Sequence, residues 1–202
     1  MRLGRLSYEV RECVVAAGAT REQIVAAADR LFYHHGFEHT SFADIAGEVG
    51  LSRGNFYYHF KSKDAILDAV IDARLAKTRR MLQRWEAEAP TPAGRILRYV
   101  EIVLDNRTDI QDYGCPVGTL TTELAKLEHS MLGQAGRLFT LFREWLREQF
   151  TLIAPPEQAD QLAMHVLAFS QGVAVMANAF RDEEFIQREV DRMREWLRTY
   201  ER

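Results

Sequence analysis

A chain of 202 residues, 47% hydrophobic and 27% charged, can build a small domain plus a larger one and is neither disordered nor fibrous in composition. Its net charge of -3 excludes a protein that coats nucleic acid over its whole surface, while leaving room for a cationic face at one end. Two cysteines, Cys13 and Cys115, exclude a multi-bridge disulfide framework and a paired-cysteine zinc site, and they fit a reducing cytoplasm.

Residues 1–19 precede the first clear periodic segment, and Ser7 to Ala17 read as a short extra helix or a frayed arm. Glu9, Arg11 and Glu12 interrupt any apolar run there that could serve export, and no stretch of the chain approaches transmembrane length. Thr20 is the expected cap of helix one, whose face of Ile24, Ala28, Leu31 and Phe32 ends at Gly36. Helix two is expected over 42–50, with Phe42, Ile45, Ala46 and Val49 at helical spacing, and Gly50 breaks it. Ser52 then caps helix three, about 52–60, giving helix, tight glycine turn, helix. Ser62 caps a long fourth helix with the stripe Leu67, Ile71, Leu75, Leu82, Trp85. Thr91 followed by Pro92 opens a fifth that buries Ile96, Val100, Val103 and Leu104 and runs to the Gly114 and Pro116 punctuation. Later helices start near Pro116 and carry Leu138 to Phe150, and Pro155-Pro156 precede the last two. The chain therefore reads as all-α: an N-terminal extension (1–19), a three-helix head with a helix-turn-helix (20–62), and a helical body for ligand binding and dimerisation (63–202).

The stretch from Leu51 to Lys63, LSRGNFYYHFKSK, puts hydroxyls, amides and cations on a helix too short and polar to be core. Behind a tight turn, such a helix suits the recognition position of a DNA reader. Phe56 and Phe60, four apart, should face the head's own core. His34, His35, Glu38 and His39 sit at a glycine-broken turn with no further ligand at helical spacing, so no metal is expected. Nucleophile elbows, phosphate loops and acid/base sets are missing from the sequence, so neither an enzyme nor a cofactor is expected.

Phe42-Ala43-Asp44-Ile45-Ala46, Val49-Gly50-Leu51-Ser52, and Gly54 through Phe60 with Lys63 resemble the signature of the tetracycline-repressor (TetR) family of bacterial regulators, densely over about 20–70 and more weakly along the rest. The resemblance implies a homodimer that places two heads in successive major grooves of a palindromic operator and represses until a small effector in the body releases it. It implies phosphate contacts from Thr40, Ser41, Tyr57, His59 and Lys63. Arg53, Asn55 and Tyr58 fall where the family varies and are the expected readers, with Ser52 beside them; arginine pairs with guanine and asparagine with adenine, each discriminating by ~1–3 kcal/mol.

The body's pocket is expected among Tyr99, Val103, Asn106, Tyr113, Cys115, Phe139, Phe142 and Trp145, a lining that suits an apolar or aromatic effector. Cys115, just before Pro116 at a helix start, offers an alternative, electrophile or oxidant sensing. Leu162, Val166, Phe169, Val173 and Met176, then Ile186, Val190, Met193 and Leu197, form two successive stripes. Those stripes exceed what a thin bundle covers and predict a dimer seam. The partners expected are double-stranded DNA, a small effector and a second copy, in the cytoplasm and away from membranes. A helical protein-binding adaptor is the competing class, and it would show no salt-sensitive DNA binding.

Overall fold

The computed structural model describes residues 4–200, with the side chains of 4–19, Arg53 and Glu183 outside the described residues; Cys13 falls in that group. Ten α-helices and one 3-10 turn follow in order, with no strand among the described residues. They are α1 (Gly4–His35), α2 (Phe42–Glu48), α3 (Arg53–His59), α4 (Lys63–Glu88), α5 (Pro92–Asp105), α6 (Arg107–Tyr113), α7 (Pro116–Lys126), α8 (Leu132–Phe150), α9 (Ala159–Phe180) and α10 (Glu183–Arg198). The chain divides into a head, 1–73, and a body, 74–202. This division falls inside α4 and not at Ser62, because Ile66, Leu67, Val70 and Ile71 in its opening turns are fully buried.

Two of the expected boundaries move. Helix one does not begin at a Thr20 cap: α1 is one helix of 32 residues that runs through Thr20. Ala16, Ala17 and Ala19 favour helix, and Gly18 alone costs only ~1 kcal/mol relative to alanine. The fifth helix, expected to continue to Gly114, stops at Asp105. Asn106 folds its Nδ2 back onto the Ile102 carbonyl at 2.7 Å, a local bond that competes with the helix ladder, and α6 starts afresh behind it.

Other local signals act as read. Thr91 caps α5 by accepting from the Gly94 amide at 3.1 Å, with Pro92 in the first turn. Ser62 caps α4 by accepting from the Ala65 amide at 3.1 Å. The body's core is built from Leu82 and Trp85 of α4 with inward residues of α5, α8, α9 and α10. Within it α8 lies along α9, and α10 along α5. Trp145 donates its indole N–H to Glu86 at 2.7 Å, which gives a buried ring the polar partner it requires.

Candidate nucleic-acid interface

The turn between α2 and α3 is fixed by backbone chemistry. Gly50 adopts φ 65°, its N–H bonds the Gly47 carbonyl at 3.2 Å, and the Leu51 N–H reaches the Ala46 carbonyl at 3.0 Å. This pair of bonds is a Schellman end, which needs the left-handed conformation glycine adopts without strain. Ser41 opens α2 with a reciprocal cap: its hydroxyl accepts from the Asp44 amide at 3.2 Å, and Asp44 Oδ2 accepts from the Ser41 amide at 2.7 Å. Those bonds hold the Asp44 carboxyl below its ordinary pKa. Ser52 caps α3 by accepting from the Asn55 amide at 3.4 Å.

Phe56 and Phe60 are buried in the head core, as their spacing requires. Phe42 meets Phe56 edge-on at 5.2 Å and stacks on Tyr57 at 5.3 Å with an interplanar angle of 16°. Anchored this way, α3 turns its other face outward. Asn55 and Ser52 are exposed, Tyr58 is 73% exposed, Tyr57 keeps one side in solvent, and His59 lies half-buried with its ring edge-on to Tyr58 at 5.2 Å. Arg53 contributes the first residue of α3; its side chain lies outside the described residues. Lys61, which sequence reasoning passed over, is exposed at the C-terminal end of α3, its ammonium on the Tyr57 carbonyl at 2.5 Å. Its signal was available, a cation directly after the aromatic run.

Two expected phosphate contacts have other work. Thr40 is only 2% exposed, and its hydroxyl donates to the Gly36 carbonyl at 2.7 Å. It closes the α1–α2 turn, and Ser41 is the hydroxyl left at the surface. Lys63 points its ammonium at the carbonyls of Phe37 (2.9 Å) and Glu38 (3.2 Å) and over the Phe37 ring at 4.3 Å. Both side chains therefore brace the reading unit in this structure.

In the body, Tyr99, Val103, Phe142 and Trp145 are buried together, with Tyr99 edge-on to Phe142 at 5.1 Å. Tyr99 shares a 2.9 Å hydrogen bond with Ser170 Oγ, and burial pushes the phenol far above its ordinary pKa, so it stays protonated. Phe139 and Cys115 are half-buried. Asn106 and Tyr113 face solvent and do not join this cluster, because the break at 106 turns that stretch away.

The expected dimer stripes are the body's own core. Val166, Val173, Ile186, Val190, Met193 and Leu197 are buried within one chain, and Leu162 and Phe169 pack against the same core. A side chain without exposed surface in one chain has nothing to offer a second. Met176 alone of that set is substantially exposed.

An exposed polar helix held behind a Schellman turn by aromatic anchors defines a helix-turn-helix DNA-binding protein. Comparison makes the class specific. The model of the family described as bacterial regulatory proteins, tetR family, matches residues 24–70. An uncharacterized HTH-type transcriptional regulator in the lacX 3' region of Lactococcus lactis subsp. lactis is 27% identical over 85% of this chain and 90% of its own length. TtgR, an HTH-type transcriptional regulator of Pseudomonas putida, is 37% identical over 49% of this chain, a match that spans 50% of that relative. A TetR transcriptional regulator from Chloroflexus aurantiacus has the same fold, with a TM-score of 0.80 at 22% identity, covering 90% of this chain and 96% of that one. Over residues 24–70 the chain is thus similar to the tetR family of bacterial regulatory proteins, and the relatives it matches are HTH-type transcriptional regulators.

Proposed function

We propose that two copies of this chain sit on a palindromic operator with one α3 in each of two successive major grooves, and that a small apolar or aromatic effector taken up by the body releases them. The exposed face of α3 carries the reading: Asn55 and Tyr58, with Arg53, are the base readers, and Ser41, Tyr57, His59 and Lys61 lie where phosphates pass. In that role the protein is a cytoplasmic repressor. Selection of duplexes from a random pool tests it, since a dimer must recover two inverted half-sites one helical turn or a multiple apart. Recovery of unsymmetrical or unrelated sequences overturns it.

The seam we propose lies on α9, on the side opposite the expected stripe. Met164, Val175, Met176 and Phe180 are exposed, Val175 at 58% and Phe180 at 73%. Between them come Ala168, Gly172 and Ala179, all exposed, and a Cβ on Gly172 would meet nothing within 4 Å of its own chain. An apolar stripe punctuated by small residues suits close approach of a second helix. Beside it a groove of about 350 Å³, bounded by Phe139 and Arg143 of α8 and Met164 and Leu167 of α9, offers room for a side chain of the second copy.

For the effector, support comes from the aromatic cluster of Tyr99, Phe142 and Trp145 with the Tyr99–Ser170 pair as its polar anchor. Because these rings are packed on one another, a ligand enters by displacing them. A second reading, electrophile or oxidant sensing, draws on Cys115, whose sulfur accepts N–H groups of Gly118 at 3.4 Å and Gln171 at 3.5 Å. A bulky adduct on Sγ would break both bonds. Thiol modification that leaves operator affinity untouched refutes that reading.

A further inference from the structure

Two polar groups meet the body's aromatic cluster, and both present acceptors. On α4, Glu86 accepts the Trp145 indole N–H at 2.7 Å, and the Trp145 ring lies 6.0 Å from that of Trp85. On α5, Tyr99 meets Phe142 edge-on and shares its hydrogen bond with Ser170. One arrangement gives both hydroxyl protons an acceptor. Ser170 Oγ donates to the Leu167 carbonyl at 2.8 Å, and Tyr99 Oη then donates to Ser170 Oγ at 2.9 Å. The Gln171 amide donates to the same serine oxygen at 3.4 Å. Ser170 is thereby fully engaged, whereas the Tyr99 oxygen has committed its proton and can only accept from a ligand.

Glu86 carries more charge than its structural task needs. An indole N–H is satisfied by any neutral acceptor, and withdrawing a carboxylate from water is costly unless a cation offsets it. The residues three and four positions away on either side are Leu82, Gln83, Ala89 and Pro90, none of them basic. On α4 Arg84 pairs with Glu88, on α8 Arg143 pairs with Asp160, and on α5 Arg95 bonds the Ala89 carbonyl and Gln149. Glu86 is therefore a half-buried anion against a tryptophan pair, joined to no cation among the described residues.

We propose that the effector is an aromatic cation bearing N–H groups, such as an amidine or a protonated amine, held by the Glu86 carboxylate and the Tyr99 oxygen among the rings of Trp85, Trp145 and Phe142. The inference rests on the effector reading above and names its chemical class. Tryptophan faces attract cations more strongly than other rings do, and a cation bonded to Glu86 offsets the surplus charge as it enters. A carboxylate ligand would meet like charge at Glu86 and an oxygen at Tyr99 that cannot donate. A hydrocarbon would gain nothing from either acceptor.

Three probes of one shape separate these classes: 2-naphthamidine, a cation with N–H donors; 2-naphthamide, neutral with N–H donors; and 2-naphthoate, an anion with none. Isothermal titration calorimetry reads each against the full chain without DNA. Wild type should bind the amidine about tenfold or more tightly than the amide, the scale of a charge-assisted hydrogen bond, and naphthoate weakest. Glu86→Gln keeps an acceptor for the Trp145 N–H and removes the charge, so it should bring the amidine down to the level of the amide and leave the amide unchanged. Tyr99→Phe should weaken both alike, by about two- to tenfold. An amidine preference that survives E86Q, or an amide or naphthoate that binds wild type as tightly as the amidine, overturns the proposal while leaving an effector site in the body. Binding of none of the three removes the effector reading and this proposal together. If a variant fails to give the wild-type circular dichroism spectrum, the ranking of the three probes on wild type decides alone.

Discussion

Lys63 separates two accounts of the head that make opposite predictions. Family resemblance gives its ammonium to a phosphate, whereas the structure gives it to the carbonyls of Phe37 and Glu38 at 2.9 and 3.2 Å and to the Phe37 ring at 4.3 Å. Those carbonyls close the turn that delivers Thr40 and Ser41 to α2. Lys63→Met keeps the aliphatic stem and removes the charge. A charged hydrogen bond contributes ~1.5–3 kcal/mol and an exposed ring contact ~0.5–1 kcal/mol. Lys63 is only half-buried, so water competes for the ammonium, and the net loss should be about 2 kcal/mol of head stability. Urea unfolding followed by circular dichroism reads that loss, and fluorescence anisotropy at several salt concentrations reads the phosphate count. As a brace, Lys63 leaves the slope of log affinity against log salt unchanged while the head's midpoint falls. As a phosphate contact, its loss lowers the slope by about 0.9 per head with the midpoint unmoved. That second pattern would refute the bracing argument.

Thr40→Val should cost ~1–3 kcal/mol in urea, because it strands a bond inside a buried turn, and Thr40→Ser should recover most of it; neither should alter the salt slope. Val175→Glu or Met176→Glu should give a folded monomer by sedimentation, whereas Val190→Glu should fail to fold, a buried unpaired carboxylate being costly; a dimer surviving V175E moves the seam elsewhere. Tyr58→Ala and Asn55→Ala should leave thermal unfolding within about 0.5 kcal/mol of wild type, as exposed substitutions do, and flatten sequence preference in the pool selection; unchanged preference displaces the reading face. Asp44 has its pKa lowered first by the Ser41 hydroxyl and then by the Ser41 amide. Its contribution to stability is therefore complete above the ordinary value of 3.8 and is lost as pH falls through the lower folded value. Thermal melts of D44N should accordingly lose part of the acid-side decline; an acid branch identical to wild type removes Asp44 from it.

Much of the head was legible because its signals are local. Ser41 with Asp44, Gly50, Ser52, and Phe56 with Phe60 each fix geometry within a few residues, and each acts in the fold as its spacing requires. The protein partners of Thr40 and Lys63 were not legible, for the complementary reason. A hydroxyl or ammonium beside a DNA-reading helix looks the same in sequence whether it faces a phosphate or a carbonyl brought near by a turn. The Lys63 partners lie 26 and 25 residues away, and that separation leaves no periodic trace. Asn106 shows the same limit inside a helix. Its return to Ile102 is invisible to an apolar pattern, because Val103, Leu104 and Ile110 continue the stripe across the break.

α9 shows what periodicity leaves open. Periodicity marks an apolar face but does not say what covers it, and α9 has two such faces. Val166, Val173 and Ala177 line the inner one, while Met164, Ala168, Val175 and Ala179 repeat on the outer one at the same spacing. Against the expectation that no stretch approaches transmembrane length, Pro156–Phe180 matches a membrane span in length and composition, at a mean hydropathy of 1.4 over its best window, and only 39% of that window is buried inside the chain. A helix apolar all round is stable in lipid or between two protein surfaces. Here one side is already packed on α8, in a chain that carries a DNA-reading head. The second surface proposed above is a second copy of this chain, which the palindromic operator of the same proposal asks for. On that proposal the exposed stripe and the symmetry of the operator are one requirement, so a seam variant such as V175E should lose operator affinity even though its substitution lies on neither α2 nor α3.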